Sequence, residues 1–198
     1  MSETIRLAVV GATNLIGEAV LDLLAERQLP IGRVFALDIA DKEGETVSFG
    51  NLELEVGAVG EFDFANVSLA IFVGGADMTR QYVPEARQAG CAIIDFSSTY
   101  RLSDDVPLFV PGVNEAVLDD LGEGLLVAVP NCTVSPLAQA LAALKASSLQ
   151  RVSVATYQSV SGSGRAALEE LANQTTALFG ARDVELEVYP KRISFNVL

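Results

Sequence analysis

Ile5-Arg6-Leu7-Ala8-Val9-Val10-Gly11-Ala12-Thr13-Asn14-Leu15-Ile16-Gly17 is an apolar run broken by a glycine-bounded turn. Apart from Arg6, residues 5–10 are apolar throughout, the pattern of a parallel strand covered on both faces. Ile16, Ala19, Val20, Leu23, Leu24 and Arg27 follow at helical spacing and stop before Pro30. Val34–Leu37 reads as a second strand, closed by Asp38. Strand, turn, helix and strand together make a βαβ unit, the start of a doubly wound sheet.

The turn lies where a dinucleotide pyrophosphate would meet a helix N-terminus. Its spacing, Gly11-x-x-Asn14-x-x-Gly17, puts an amide where a third glycine would be ideal. Asn tolerates a positive φ better than other non-glycine residues, so the turn is expected to keep its shape there. A tight turn without a ligand is the alternative reading. Asp38 falls about twenty residues after Gly17, the position that bonds ribose hydroxyls in NAD-type sites. With Asp41 it would repel a 2′-phosphate; a solvated acid ending a strand is the other reading.

Further along, Val47–Phe49 and Leu52–Val56 suggest a small hairpin. Leu69–Val73, Cys91–Asp95 and Leu125–Val129 read as buried strands, and Thr79–Ala89 as a helix between the first two. Ser135-Pro136 looks like an N-cap and first helical residue, with Leu137, Leu141 and Leu144 on one face and Lys145 near the helix end. Arg151–Gln158 is expected as a long alternating strand, Arg165–Leu178 as a helix, and Ile193–Leu198 as a further strand. The expected architecture is an α/β, doubly wound parallel-sheet (Rossmann) dinucleotide-binding domain over residues 1–130. The start of an α+β catalytic and dimerisation domain follows over 131–198.

Composition narrows the chemistry. The 198 residues carry a net charge of −13, half are hydrophobic, and there is no histidine. Nucleic-acid binding needs a basic stripe, so no nucleic-acid partner is expected. The apolar runs are strand length, so no membrane partner is expected either. Without histidine, this chain offers neither a Ser-His-Asp triad nor a histidine-ligated metal site. Two cysteines and no leader-like N-terminal stretch suit a cytoplasmic protein.

Chemistry then falls to Pro130-Asn131-Cys132-Thr133, between the last sheet strand and a helix start. A thiol at a helix N-terminus meets the positive end of the dipole, which favours thiolate. The Asn131 side chain and nearby amides could stabilise an oxyanion on an acyl group attacked by that sulfur. Cys91, entering a buried strand, reads as a core residue. Gln158, at a strand end before a glycine-rich turn, can hold a carbonyl. Arg101, after Ser97-Ser98-Thr99-Tyr100, could clamp a phosphate or carboxylate, or be merely solvated.

Taken together, Gly11–Gly17, IDFSSTYRL at 94–102, VPGVN at 110–114, VPNCT at 129–133, TYQSVSGSG at 156–164 and ISFNV at 193–197 resemble the aspartate-semialdehyde dehydrogenase family. The resemblance implies NADP, with NAD as the other candidate, and places Thr13, Asn14, Leu15 and Ile16 around the pyrophosphate. It implies that Ser161 and Gly162 meet the cofactor, Cys132 is the nucleophile, Gln158 binds substrate and Arg101 holds phosphate. The implied reaction is reductive dephosphorylation of aspartyl phosphate, on the route to lysine, methionine and threonine, in a homodimer. Three departures stand out: Asn14 in the turn, the acidic Asp38 and Asp41, and Phe96 where the family often has Asn. Family members also continue past this length and supply there a histidine acid–base. The expectation is therefore an N-terminal portion, inactive alone. The alternatives are a non-catalytic paralogue, serving as a dinucleotide-binding or interaction module, and an acyl-phosphate reductase for another substrate.

Overall fold

A computed structural model describes residues 4–27, 29–119, 124–144 and 148–198. Lys145 lies outside them. In chain order the elements are β1 (Ile5–Val10), α1 (Leu15–Glu26), β2 (Ile31–Asp38), β3 (Thr46–Phe49), β4 (Leu52–Ala58), β5 (Leu69–Phe72), α2 (Ala76–Gln88), β6 (Ala92–Asp95), β7 (Leu126–Ala128), α3 (Val134–Ala143) and α4 (Arg165–Phe179). The described residues divide into two compact units, one running to Ser153 and one from Val154 to Leu198.

In the first unit the sheet order is β3-β4-β2-β1-β5-β6-β7. All pairings are parallel except β3 with β4, the expected hairpin. The chain leaves β1 for β2 on one side and later returns to β5 on the other. Such a reversal opens a crevice at the carboxyl ends of the strands, where α/β sheets bind ligands.

The two-residue period of a strand explains the core. Leu7 and Val9 pack with Leu21 of α1 and with Val56 and Ile71. Ala8 and Val10 point the other way, into a layer with Phe64, Phe72, Val83 and Ile93. Each buried Leu or Phe side chain contributes about 1.5–3 kcal/mol, so β1 anchors both layers.

Two expected strands are absent. Residues 151–158 are irregular, with Val152 and Val154 about half exposed. Alternation supplies an apolar face, but a strand also needs a neighbour to take its backbone hydrogen bonds, and the described residues provide none here. Residues 193–198 likewise form a turn and an irregular segment, and Phe195 takes a φ of 52° that no strand tolerates.

In the second unit the segment after α4 is held by a buried polar pair. Glu170 accepts from the backbone N–H of Val188 (2.6 Å) and Tyr189 (3.1 Å), and from Gln174 Nε2 (2.7 Å). Gln174 Oε1 accepts from Ile193 and Ser194 N–H at 3.0 and 3.2 Å. Burial pushes the Glu170 carboxyl upward. The hydrogen bonds from Val188, Tyr189, Glu187 and Gln174 outweigh it and leave the pKa below its ordinary 4.5.

Candidate active site

Between β1 and α1 the positive φ sits on Gly11, at 93°, and a Cβ there would run into the Gly74 backbone. Gly17 is needed for closeness: a Cβ would meet the Gly11 carbonyl. Asn14 corrects the expectation of a left-handed residue, having φ −88° and ψ 167° as the N-cap of α1. Its Oδ1 accepts from Ile16 and Gly17 N–H, each at 2.9 Å, and its Nδ2 donates to the Val73 carbonyl at 2.9 Å. An asparagine therefore does here what glycine cannot: it caps the helix and ties the β1 turn to the end of β5. The amide occupies two of the helix-head N–H groups.

Asp38, at the end of β2, is only 6% exposed. Its Oδ2 accepts from Thr13 N–H (3.0 Å) and Thr13 Oγ1 (2.8 Å), and its Oδ1 from Ile39 N–H (2.9 Å). The reading of a solvated loop acid is thereby corrected: Asp38 is buried because it braces the turn.

Two more loops leave the same edge of the sheet. After β6, the fully buried Asp95 accepts from Thr79 Oγ1 (2.9 Å), Ser97 N–H (3.0 Å) and Ser97 Oγ (2.8 Å). Ser97 Oγ in turn accepts from Thr99 N–H at 3.0 Å. That network shapes the approach to Arg101, whose Nε donates to the Val129 carbonyl (2.9 Å) and whose Nη2 donates to the Phe96 carbonyl (2.7 Å). Arg101 is thus half-buried and tied to the end of the β7 strand, three residues before Cys132.

Cys91 is buried, as its strand context predicted, and Cys132 is exposed. Burial pushes the Cys91 thiol up to about 11. The Asn131 carbonyl accepts from Val134 and Ser135 N–H at 2.9 and 3.2 Å, and Asn131 Oδ1 from Thr133 N–H (3.1 Å) and Thr133 Oγ1 (2.7 Å). Two expectations change as a result. The helix begins at Val134, not Pro136, because Asn131 gathers the first amides; Pro136 still sits in the first turn, where its missing N–H costs nothing. Those amides are also occupied, so they do not offer themselves to an oxyanion. Cys132 Sγ lies 3.7 Å from Asn131 Oδ1.

Gln158, Ser161 and Gly162 lie in the second unit and are exposed. Ser161 and Gly162 belong to a single 3-10 turn, Val160–Ser163, capped by Ser159 Oγ. Gly164, with φ 91°, leads from it into α4. The sequence reading missed Asp95 and Glu170 as organising residues. A carboxylate ending an apolar strand before Ser-Ser-Thr was the available signal for Asp95; Glu170 had none. A concavity of about 640 Å³ along β2 and the β3–β4 hairpin, lined in part by Arg33, Phe35, Phe49 and Phe62, holds none of these residues. Among the described residues, no cluster of three or more His, Cys, Asp or Glu is placed to hold a metal. None of their helices is long and apolar enough to cross a membrane.

Comparison with known proteins gives this geometry a context. The family model described as "Semialdehyde dehydrogenase, NAD binding domain" matches residues 6–121, and its partner, the dimerisation domain, matches 135–198. The chain belongs to the semialdehyde dehydrogenase family. It is 40% identical to the aspartate-semialdehyde dehydrogenase of Legionella pneumophila, over 100% of this chain and 57% of that protein. The crystal structure of aspartate semialdehyde dehydrogenase II from Vibrio cholerae, complexed with ASA, superposes with a TM-score of 0.92 at 36% identity, covering 98% of this chain and 58% of that one. A probable aspartate-semialdehyde dehydrogenase from Pseudomonas aeruginosa gives 0.86 at 34% identity, with the same coverage. This semialdehyde dehydrogenase chain therefore spans less than two thirds of the length of the relatives it matches.

Proposed function

We propose that this chain carries the cofactor-binding and thiol-bearing part of an aspartate-semialdehyde dehydrogenase, a cytoplasmic, homodimeric enzyme of amino-acid biosynthesis. The observation that carries this reading is the exposed Cys132 at the head of α3, on a loop hooked by Arg101 to the carboxyl edge of the sheet. The substrates are an acyl phosphate in one direction and an aldehyde with phosphate in the other. The residues near the turn fit a dinucleotide: Gly11 brings β1 close to the loop after β5, and Thr13–Gly17 form a braced helix head. The proposed domains are 1–130 and 131–198.

The Cys132 thiolate attacks the acyl carbon of the acyl phosphate, a mixed anhydride; a C–S bond forms, the C–O bond to phosphate breaks, and phosphate leaves. Arg101 receives that phosphate through the N–H groups its two carbonyl bonds leave over. Asn131 Nδ2 steadies the developing oxyanion, and Gln158 holds the substrate. The nicotinamide, when bound, supplies the hydride. Collapse of the reduced adduct returns the thiolate and releases the aldehyde. Proton transfer is typically worth ~10²–10⁴-fold, and the 198 residues contain no histidine to perform it. The chain alone is therefore expected to acylate without sustained turnover.

Mass spectrometry after exposure to aspartyl phosphate, or to a stable acyl-phosphate surrogate, tests this. A thioester on Cys132, absent in Cys132→Ser, supports the reading. An unmodified Cys132 with dinucleotide still bound would favour the non-catalytic paralogue.

A further inference from the structure

We propose that Asp38 selects a dinucleotide with a free adenosine 2′-hydroxyl, so that this chain takes NAD in preference to NADP. The inference rests on reading the Gly11–Gly17 turn as the dinucleotide site. Asp38 closes β2, beside that turn: the Gly11 and Ala12 N–H groups both donate to the Leu37 carbonyl, at 2.8 and 3.0 Å. A carboxylate has about four acceptor positions, two on each oxygen. Thr13 fills both on Oδ2 and Ile39 fills one on Oδ1. Among the described residues one acceptor position therefore remains, and it can be completed only by a donor.

A ribose hydroxyl is such a donor. A 2′-phosphate is not: at neutral pH it brings acceptors and further negative charge to a carboxylate that is 6% exposed and held in place. The surroundings do not reverse that sign. The segment after β2 carries Asp41, Glu43 and Glu45 against Lys42, and Lys42 Nζ is paired with Glu45 Oε1 at 2.9 Å. Arg33, on the same strand, sits at its opposite end and lies over the Phe35 ring, 4.4 Å from its centroid. Glu18, in the first turn of α1, adds another acid. The bracing of Thr13 also explains why Asp38 cannot simply swing away from a phosphate: doing so would strip the turn of two hydrogen bonds.

Calorimetric titration of the 198-residue chain with NADH, NADPH and NADH lacking the adenosine 2′-hydroxyl tests the assignment at one ionic strength. NADH should bind about tenfold or more tightly than NADPH, from like-charge repulsion near a held carboxylate. The 2′-deoxy compound should lose about tenfold relative to NADH, the worth of a hydrogen bond to a charged acceptor. Asp38→Ser should narrow the NADH to NADPH ratio to about threefold or less, with thermal melting recorded alongside to show that the turn still folds. NADPH binding as well as NADH to the unaltered chain, or an undiminished 2′-deoxy affinity, would overturn the role given to Asp38 while leaving the dinucleotide site intact. Binding of none of the three would overturn the site itself, and the assignment with it.

Discussion

Arg101 donates through Nε to the carbonyl of Val129, 28 residues later in the chain, at 2.9 Å. Its Nη2 donates to Phe96 in the same fork. The loop after β6 and the loop that carries Cys132 are thereby closed against each other by one guanidinium. An arginine held this way by its rear edge is pre-organised to meet an anion with the rest of its donors, because little further rotamer entropy is lost.

Arg101→Lys should not substitute for the fork, since an ammonium is a point donor and cannot span both carbonyls in one plane. Urea unfolding should show a loss of about 1–3 kcal/mol for Arg101→Ala, the cost of stranding partly buried acceptors. Lysine should recover less than half of it. Full recovery by lysine would show that charge, and not the planar fork, holds the two loops.

The two thiols should separate cleanly in alkylation. Cys91 is buried with its pKa pushed up to about 11, so at pH 8 only about one molecule in a thousand carries its thiolate. Iodoacetamide followed by peptide mapping should modify Cys132 first. Asn131→Asp keeps an oxygen acceptor for Thr133 but sets a carboxylate near Sγ, and should slow labelling of Cys132. Equal rates at the two cysteines would remove Cys132 as the nucleophile.

Asn14→Ala removes both the cap on Ile16 and Gly17 and the tie to Val73. Loss of an N-cap costs about 0.5–2 kcal/mol, and the tie adds to it. Asn14→Ser keeps a capping oxygen without the tether to Val73. Melting temperatures in the order wild type, Asn14→Ser, Asn14→Ala would confirm two separable roles.

Acid should loosen the second unit. The Glu170 pKa is lowered in the folded chain, so the stabilisation it provides is fully present above its ordinary value of 4.5. It is lost as pH falls from there through the folded value. Hydrogen exchange at the Val188 and Tyr189 amides should accelerate over that window. In Glu170→Gln it should be fast already at pH 7, with little further pH dependence beyond intrinsic exchange.

The βαβ start, the hairpin and the parallel strands were legible because their cause is local: apolar period, glycine and proline. Residues 151–158 and 193–198 were misread for the complementary reason. Alternation states which face is apolar, but whether a strand forms depends on a partner distant in the chain. Asn14 was misread through analogy with glycine, since its value lies in an amide that reaches Val73, 59 residues away.

The sequence alone determined that Cys132 heads a helix, that Cys91 is core, and that no imidazole is available within these 198 residues. Those are matters of composition and local order. Tertiary structure decided that Asp38 braces Thr13, that Asp95 shapes the Ser97–Thr99 bend, that Arg101 hooks the loop carrying Cys132, and that Glu170 gathers Val188 and Tyr189. Each of these polar side chains spends its hydrogen bonds on backbone or hydroxyl groups whose positions are set by the folded chain. Burial makes such bonds obligatory, and only the fold says which groups meet.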